Sequence, residues 1–273
     1  MKSLLVTLTK PLRLLVGSFL LDSPTWIHIR QNCFNFPGKN FHSEIRKHSI
    51  ILWVLNKSDY EYFEFKYRKL SQQEWQKVHW EDYGKFYNAA VEAVDRKMHP
   101  FMLSQLQKHG GSTFVEIGCG GFALSKTLAD HLPDSRIVAY DISSSSQEIY
   151  DNFIAHQFLN IEFVRRSFFD DLDAIASSGI FFTSNVMMHL TPEELDVFLN
   201  FLSQSDKKIF GVIQEPYTQD NNAINFKDRD WKHNFFLSIE RNNLTMLDHH
   251  IVHENKSAAG TSSAIFCFSN KAI

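Results

Sequence analysis

The stretch Thr113-Phe114-Val115-Glu116-Ile117-Gly118-Cys119-Gly120-Gly121-Phe122 limits what this chain can fold into more than any other. Its first half has the β-branched and aromatic character of a buried strand, and its second half is a glycine-rich turn leading into a helix-forming run. A strand that passes directly into a helix must find a parallel neighbour, because only a crossover brings the chain back in the same direction. The remainder of the chain supplies such neighbours. Short apolar strands are read at Ser112–Ile117, Arg136–Asp141, Ile161–Arg165, Ile180–Asn185 and Lys208–Gln214. Helical patterns lie between them at Phe122–His131, Ser146–Ala155, Phe169–Ala176 and Thr191–Ser203. Thr191-Pro192-Glu193-Glu194 opens the last helix with a capping hydroxyl, a proline at its first position and acidic residues in its first turn. A helix from about Trp231 to Asn242 then leads to two strands, Thr245–Val252 and Ser263–Ser269, joined too closely to be parallel. The expected fold class is α/β: a Rossmann-like sheet, mostly parallel, with a carboxyl-terminal antiparallel hairpin.

Ahead of this series a helix is expected at Pro100–His109, broken by Gly110-Gly111. Residues 76–273 are read as one domain, and residues 1–75 as a mainly helical amino-terminal appendage. Within the appendage Phe63, Phe65 and Tyr67 alternate with charged residues as an amphipathic strand would, and Ile50–Leu55 fits strand or helix. From Ser71 the spacing turns helical through Trp75, Val78, Tyr83 and Tyr87. Residues 1–21 are the most apolar part of the chain, yet Lys10, Pro11 and Arg13 keep each run below the roughly 20 residues that a bilayer crossing needs. Three readings stay open: a helix packed on the domain or on a second subunit, a helix lying in a membrane interface, and a cryptic signal.

The glycine turn lets the backbone approach a ligand, and the helix that follows presents unpaired N–H groups. Asp141 stands 21 residues past Gly120, at the end of the next strand, where a carboxylate can accept hydrogen bonds from both hydroxyls of a ribose. Gly118-x-Gly120-x-x-Ala123 also fits a dinucleotide fingerprint. Glu116 argues against a pyrophosphate there, because its negative charge suits a cationic ligand better.

From about Trp80 to Phe268 the chain resembles the class I S-adenosylmethionine-dependent methyltransferases. Glu116, Gly118 and Gly120 match the family's acidic-x-Gly-x-Gly motif, and Asp141 matches the acidic residue that ends its second strand. The resemblance implies S-adenosylmethionine as methyl donor, held by Glu116, Gly118, Cys119, Gly120, Asp141, Ile142, Ser167, Phe168 and Asn185. Phe122 departs from the pattern where a third glycine is usual. Arg166-Ser167-Phe168 stands where an Asp is often found beside the adenine, with Ser167 as the polar contact and Phe168 as a stacking face. Thr183-Ser184-Asn185-Val186-Met187-Met188-His189 corresponds to the segment that closes over the methionine portion and faces the acceptor.

Polar residues at the carboxyl ends of strands have a positional claim on the site. His189 is the first candidate for a general base, since a near-neutral imidazole can take the proton of an attacking hydroxyl; capping of a helix start is the plainer reading. Glu215 could hold a hydroxyl, act as base or bind a metal, or be a loop carboxylate. His233-Asn234, following Asp228-Arg229-Asp230-Trp231, could touch the acceptor or merely cap a helix. His249, His250 and His253 share a strand on which neighbours diverge, so no metal site is assigned. Tyr83 and Tyr87 could cover the cofactor or pack on the core.

A formal net charge of −3 with scattered positive residues speaks against a nucleic-acid substrate. Three distant cysteines offer no disulfide framework and point to the cytoplasm. The function expected is O-methylation of a sugar or other small hydroxyl acceptor. Bacterial surface-polysaccharide (O-antigen, lipopolysaccharide) methyltransferases are the subgroup resembled, working peripherally at the inner face of the cytoplasmic membrane. The alternatives are N-methylation, a cofactor-binding module without catalysis, and an NAD-dependent oxidoreductase. Metal dependence and a homo-oligomer are left open.

Overall fold

The computed structural model describes residues 10–21, 23, 25–26, 50–78, 98–227, 230–252 and 263–271. Tyr83, Tyr87 and His253 lie outside the described residues. The chain divides into two compact units, Met1–Arg96 and Lys97–Ile273, so the break falls later than the expected 75/76 boundary.

In the first unit, helix α1 (Lys10–Leu20) packs along α2 (Ile50–Tyr67), and a short α3 (Gln72–Val78) follows. The two long helices touch at Gly17, where a Cβ would lie 2.1 Å from the Ser58 carbonyl oxygen. Arg13 bonds Glu61 at 2.7 Å, and Leu21, Phe63 and Trp75 form a small core. Leu12, Leu15 and Phe19 face outward. Residues 63–67 are helical rather than the strand their alternation suggests. Phe63 and Tyr67 lie one turn apart with ring centroids 4.9 Å from each other, while Phe65 is exposed. Among the described residues no helix is long and apolar enough to cross a membrane.

The second unit is a seven-stranded sheet in the order β3-β2-β1-β4-β5-β9-β8. Its strands are β1 (Thr113–Ile117), β2 (Arg136–Asp141), β3 (Ile161–Arg165), β4 (Ile180–Ser184), β5 (Phe210–Pro216), β8 (Thr245–Val252) and β9 (Ser263–Ser269). β1 to β5 are mutually parallel, and β9 enters antiparallel between β5 and β8. Strand alternation sends side chains to two separate cores. Val115, Ile117, Phe181 and Ile213 meet α7 (Leu172–Ser178), α8 (Pro192–Ser203) and α9 (Phe235–Arg241) on one face. Phe114, Ile137, Phe182 and Val212 meet α4 (Pro100–His109), α5 (Ala123–His131) and α6 (Ser144–Ile149) on the other. Covering both faces is what allows a parallel sheet to be apolar throughout. α8 begins with the full capping box, Thr191 and Glu194 each bonding the other's backbone N–H.

One element departs from expectation. The chain after β5 forms a small antiparallel pair, β6 (Ile224–Lys227) and β7 (Asp230–Lys232), so Trp231 belongs to a strand and the next helix starts only at Phe235. Asn234 caps that helix, accepting from the Leu237 N–H.

Candidate active site

The strand order reverses between β1 and β4, which opens a crevice beyond their carboxyl ends. Two turns flank it, one after β1 and one after β4.

The β1 turn is built mainly from backbone. The N–H groups of Gly118 and Cys119 both donate to the Tyr140 carbonyl, at 2.8 and 3.0 Å. Gly118 has φ 70°, and a Cβ there would stand 2.2 Å from Cγ2 of Val186. Phe122 takes the left-handed conformation itself, with φ 64° and ψ 19°, where the family pattern would place a glycine. That conformation costs about 1 kcal/mol. Full burial of the ring, against Tyr150 and Phe163, offsets it with about 1.5–3 kcal/mol. Glu116 is buried, and its Oε2 accepts from the backbone N–H (3.1 Å) and the hydroxyl of Ser125, so it braces β1 against the first turns of α5.

Asp141 ends β2 and joins two loops. Its Oδ2 accepts from the Gly120 N–H at 2.9 Å and its Oδ1 from the Ser143 N–H at 2.8 Å. Burial holds this carboxyl above its usual range, although both bonds favour the charged form. The hydroxyls of Ser143 and Ser146 donate to the same carboxylate, which gathers hydrogen-bond donors from both loops. Ile142 beside it is partly exposed. Ser167 caps the turn after β3, accepting from the Phe169 N–H at 3.3 Å, and Phe168 stacks on Phe169 at 4.3 Å between ring centroids.

The β4 turn is held by side chains from elsewhere. Asn185 enters it with φ 59° and donates its N–H to the Gln214 carbonyl at 3.0 Å. Glu215 is fully buried on the same face of β5 as Ile213. It accepts three backbone N–H groups, from Val186 (2.8 Å) and Met187 (2.9 Å) on Oε1 and from Met188 (3.2 Å) on Oε2. Burial pushes its carboxyl up to about 7, against the opposing pull of these bonds and of His189. His233 is 1 % exposed, and its Nε2–H donates to the Met187 and Leu190 carbonyls, both at 3.1 Å. Burial lowers its pKa. His189 projects from this turn, and its Nδ1 meets Oδ1 of Asp230, on β7, at 2.9 Å; the two side chains stay 18 % and 13 % exposed.

The three expected acceptor-side residues therefore gather on one turn with different tasks. Glu215 and His233, expected to assist deprotonation, are both buried and committed to the backbone of that turn. Only His189 keeps an accessible ring. Asp230 is the member that sequence reasoning passed over; its only signal was the acidic Asp228-Arg229-Asp230 run between β5 and α9. His249 and His250 diverge as their strand requires, His249 toward Phe236 and His250 toward His99 and Phe101. Among the described residues no three potential ligands converge as a metal site would require.

No family model and no curated protein matches the sequence. Solved structures do. Magnesium protoporphyrin IX methyltransferase from Synechocystis PCC 6803 with bound S-adenosylmethionine overlays with a TM-score of 0.52 at 14% identity, over 73% of this chain and 97% of that one. The same enzyme with bound S-adenosylhomocysteine gives 0.51 at 13%, over 72% and 99%. An O-methyltransferase from a trans-AT PKS multienzyme of Brevibacillus brevis, in complex with S-adenosylhomocysteine, gives 0.48 at 11%, over 61% and 69%. The fold is the Rossmann-like class I methyltransferase fold.

Proposed function

We propose that this chain is an S-adenosylmethionine-dependent methyltransferase that methylates a hydroxyl oxygen of a sugar or other small molecule. The observation that carries the donor is Asp141, a carboxylate at the end of β2, beside a glycine turn and the point where strand order reverses. Its oxygens suit the ribose hydroxyls. Gly118 admits close approach of the ligand, while Ile142, Ser167 and Phe168 suit the adenine and Asn185 the methionine portion. When bound, the donor supplies a sulfonium methyl open to displacement by a nucleophile. The neighbours crystallised with S-adenosylmethionine or S-adenosylhomocysteine support the same ligand here.

For the acceptor, the supporting observation is the His189–Asp230 pair. A hydroxyl attacking carbon must lose its proton, whereas an amine lone pair needs less help. A proton on Nδ1 directed at Asp230 makes Nε2 the basic nitrogen that would take the hydroxyl proton, and the carboxylate stabilises the imidazolium that forms. The acceptor oxygen thus gains the methyl as His189 gains the proton.

Titration calorimetry of the full chain with S-adenosylhomocysteine, and transfer of labelled methyl from S-adenosylmethionine to a panel of sugars and small alcohols, test this reading. Saturable binding and a labelled ether are expected. Tight NAD binding with none for S-adenosylhomocysteine would make the chain an oxidoreductase instead. Binding without turnover across the panel would favour a cofactor-binding module.

A further inference from the structure

We propose that Glu215 and His233 are positioning residues that clamp the Asn185–Leu190 turn from opposite sides, one through its N–H groups and the other through its carbonyls, and thereby set where His189 stands. This rests on His189 acting as the acceptor-side base. The geometry is reciprocal. Glu215 takes the N–H groups of Val186, Met187 and Met188, and His233 gives one proton to the carbonyls of Met187 and Leu190. Five backbone groups of a five-residue segment are thus bound by two buried side chains. A simple turn would satisfy such groups locally or with water. Here only the Met187 carbonyl has a local partner, the Leu190 N–H at 3.1 Å, and all five are bound by two titratable groups drawn from β5 and from the residue ahead of the α9 cap.

That choice makes the clamp sensitive to pH from both sides. The carboxyl of Glu215 is raised to about 7 by burial, so opening the turn to water would let it ionise more readily. By linkage, the closed turn loses stability as pH rises from the ordinary carboxylate range through about 7. Burial lowers the pKa of His233, so an opened turn would bind a proton that the closed one refuses. The closed turn therefore loses stability as pH falls below the ordinary histidine range. The charged surroundings are few. His189 faces Glu215 from the turn itself, with Asp230 of β7 behind it, and Asp196 of α8 and Arg241 of α9 act on His233. The alkaline limb set by Glu215 runs from about 4.5 to about 7 and the acid limb set by His233 lies below about 6.5, so the two overlap with opposite slopes.

Amide hydrogen exchange across the Asn185–Leu190 segment, corrected for intrinsic rates, reads this without cofactor or acceptor. In the wild-type chain, protection should change less with pH between about 4.5 and 7 than in either single variant, because the two limbs oppose each other there. Glu215→Gln should leave protection that falls as pH drops below about 6.5, and His233→Gln protection that falls as pH rises from about 4.5 to 7, each by up to about tenfold per pH unit. The His189 imidazole resonances should shift with the alkaline limb in wild type and not in Glu215→Gln, which a merely structural carboxylate would not produce. A flat profile in either folded variant overturns the proposal, as does, in the wild-type chain alone, a His189 signal that does not shift as Glu215 titrates toward about 7. Failure of S-adenosylhomocysteine to bind would sink the proposed function and leave this profile readable.

Discussion

The turns after β1 and β4 lie across one crevice from each other, yet they are held by opposite means. The β1 turn is held from nearby: Gly118 and Cys119 reach the adjacent strand, Gly120 reaches Asp141, and Glu116 reaches Ser125 nine residues on. The β4 turn is held from far along the chain, by Glu215 at a separation of 27–29 residues and His233 at 43–46. The first arrangement makes a cradle mainly from backbone, suited to a ligand of fixed shape. The second lets elements after β5, including the small β6–β7 pair, decide how the acceptor side is presented. On the proposed function, donor recognition and acceptor recognition can then change separately.

If that division is real, substitutions should separate along it. The largest effect is expected for His189→Gln, which should slow methyl transfer by about 10²–10⁴-fold. S-adenosylhomocysteine affinity, measured by calorimetry on the same protein, should stay within about threefold of wild type. An equal loss in both quantities would erase the distinction. Next comes Asp141→Ala, which should weaken S-adenosylhomocysteine by about 100-fold, the worth of two hydrogen bonds to a charged group. Hydrogen exchange of the β4 turn should not change in that variant; if protection there falls too, the two turns are one structure. The smallest effect tests the link between them. Thr183, fully buried on β4, donates its hydroxyl to the Ile117 carbonyl at 2.8 Å, just before the glycine turn. Thr183→Val should cost about 1 kcal/mol in urea unfolding. A much larger loss would mean that strand ends share more than this one bond.

The same division explains what could be read from the chain before it was seen folded. The parallel series, the glycine turn and Asp141 are local signals, periodicity and spacing within about twenty residues, and the structure places them as expected. Phe122 was a visible departure from pattern, but its left-handed backbone depends on a ring pocket made by Tyr150 and Phe163 that no short window contains. Glu215 and His233 were conspicuous as polar residues at strand ends. Their actual task, binding backbone 27 or more residues away, is written in tertiary placement alone. Asp230 was missed because its role exists only once β7 carries it to His189. Residues 63–67 misled because Phe63 and Tyr67 satisfy both a two-residue and a four-residue spacing; burial of one face of α2, absent from the sequence, decides between them.

Across the crevice Gly118 faces Val186, and a methyl added at 118 would overlap the valine at 2.2 Å. In terms of sequence change, these two positions form a single choice. A side chain at 118 would demand both a left-handed backbone and a shorter neighbour at 186, and only the second demand can be met by substitution. Position 186 is therefore constrained from across the crevice as well as by the groups that hold its own turn. Position 186 carries an upper limit on volume that is set not by the acceptor but by the bare backbone opposite.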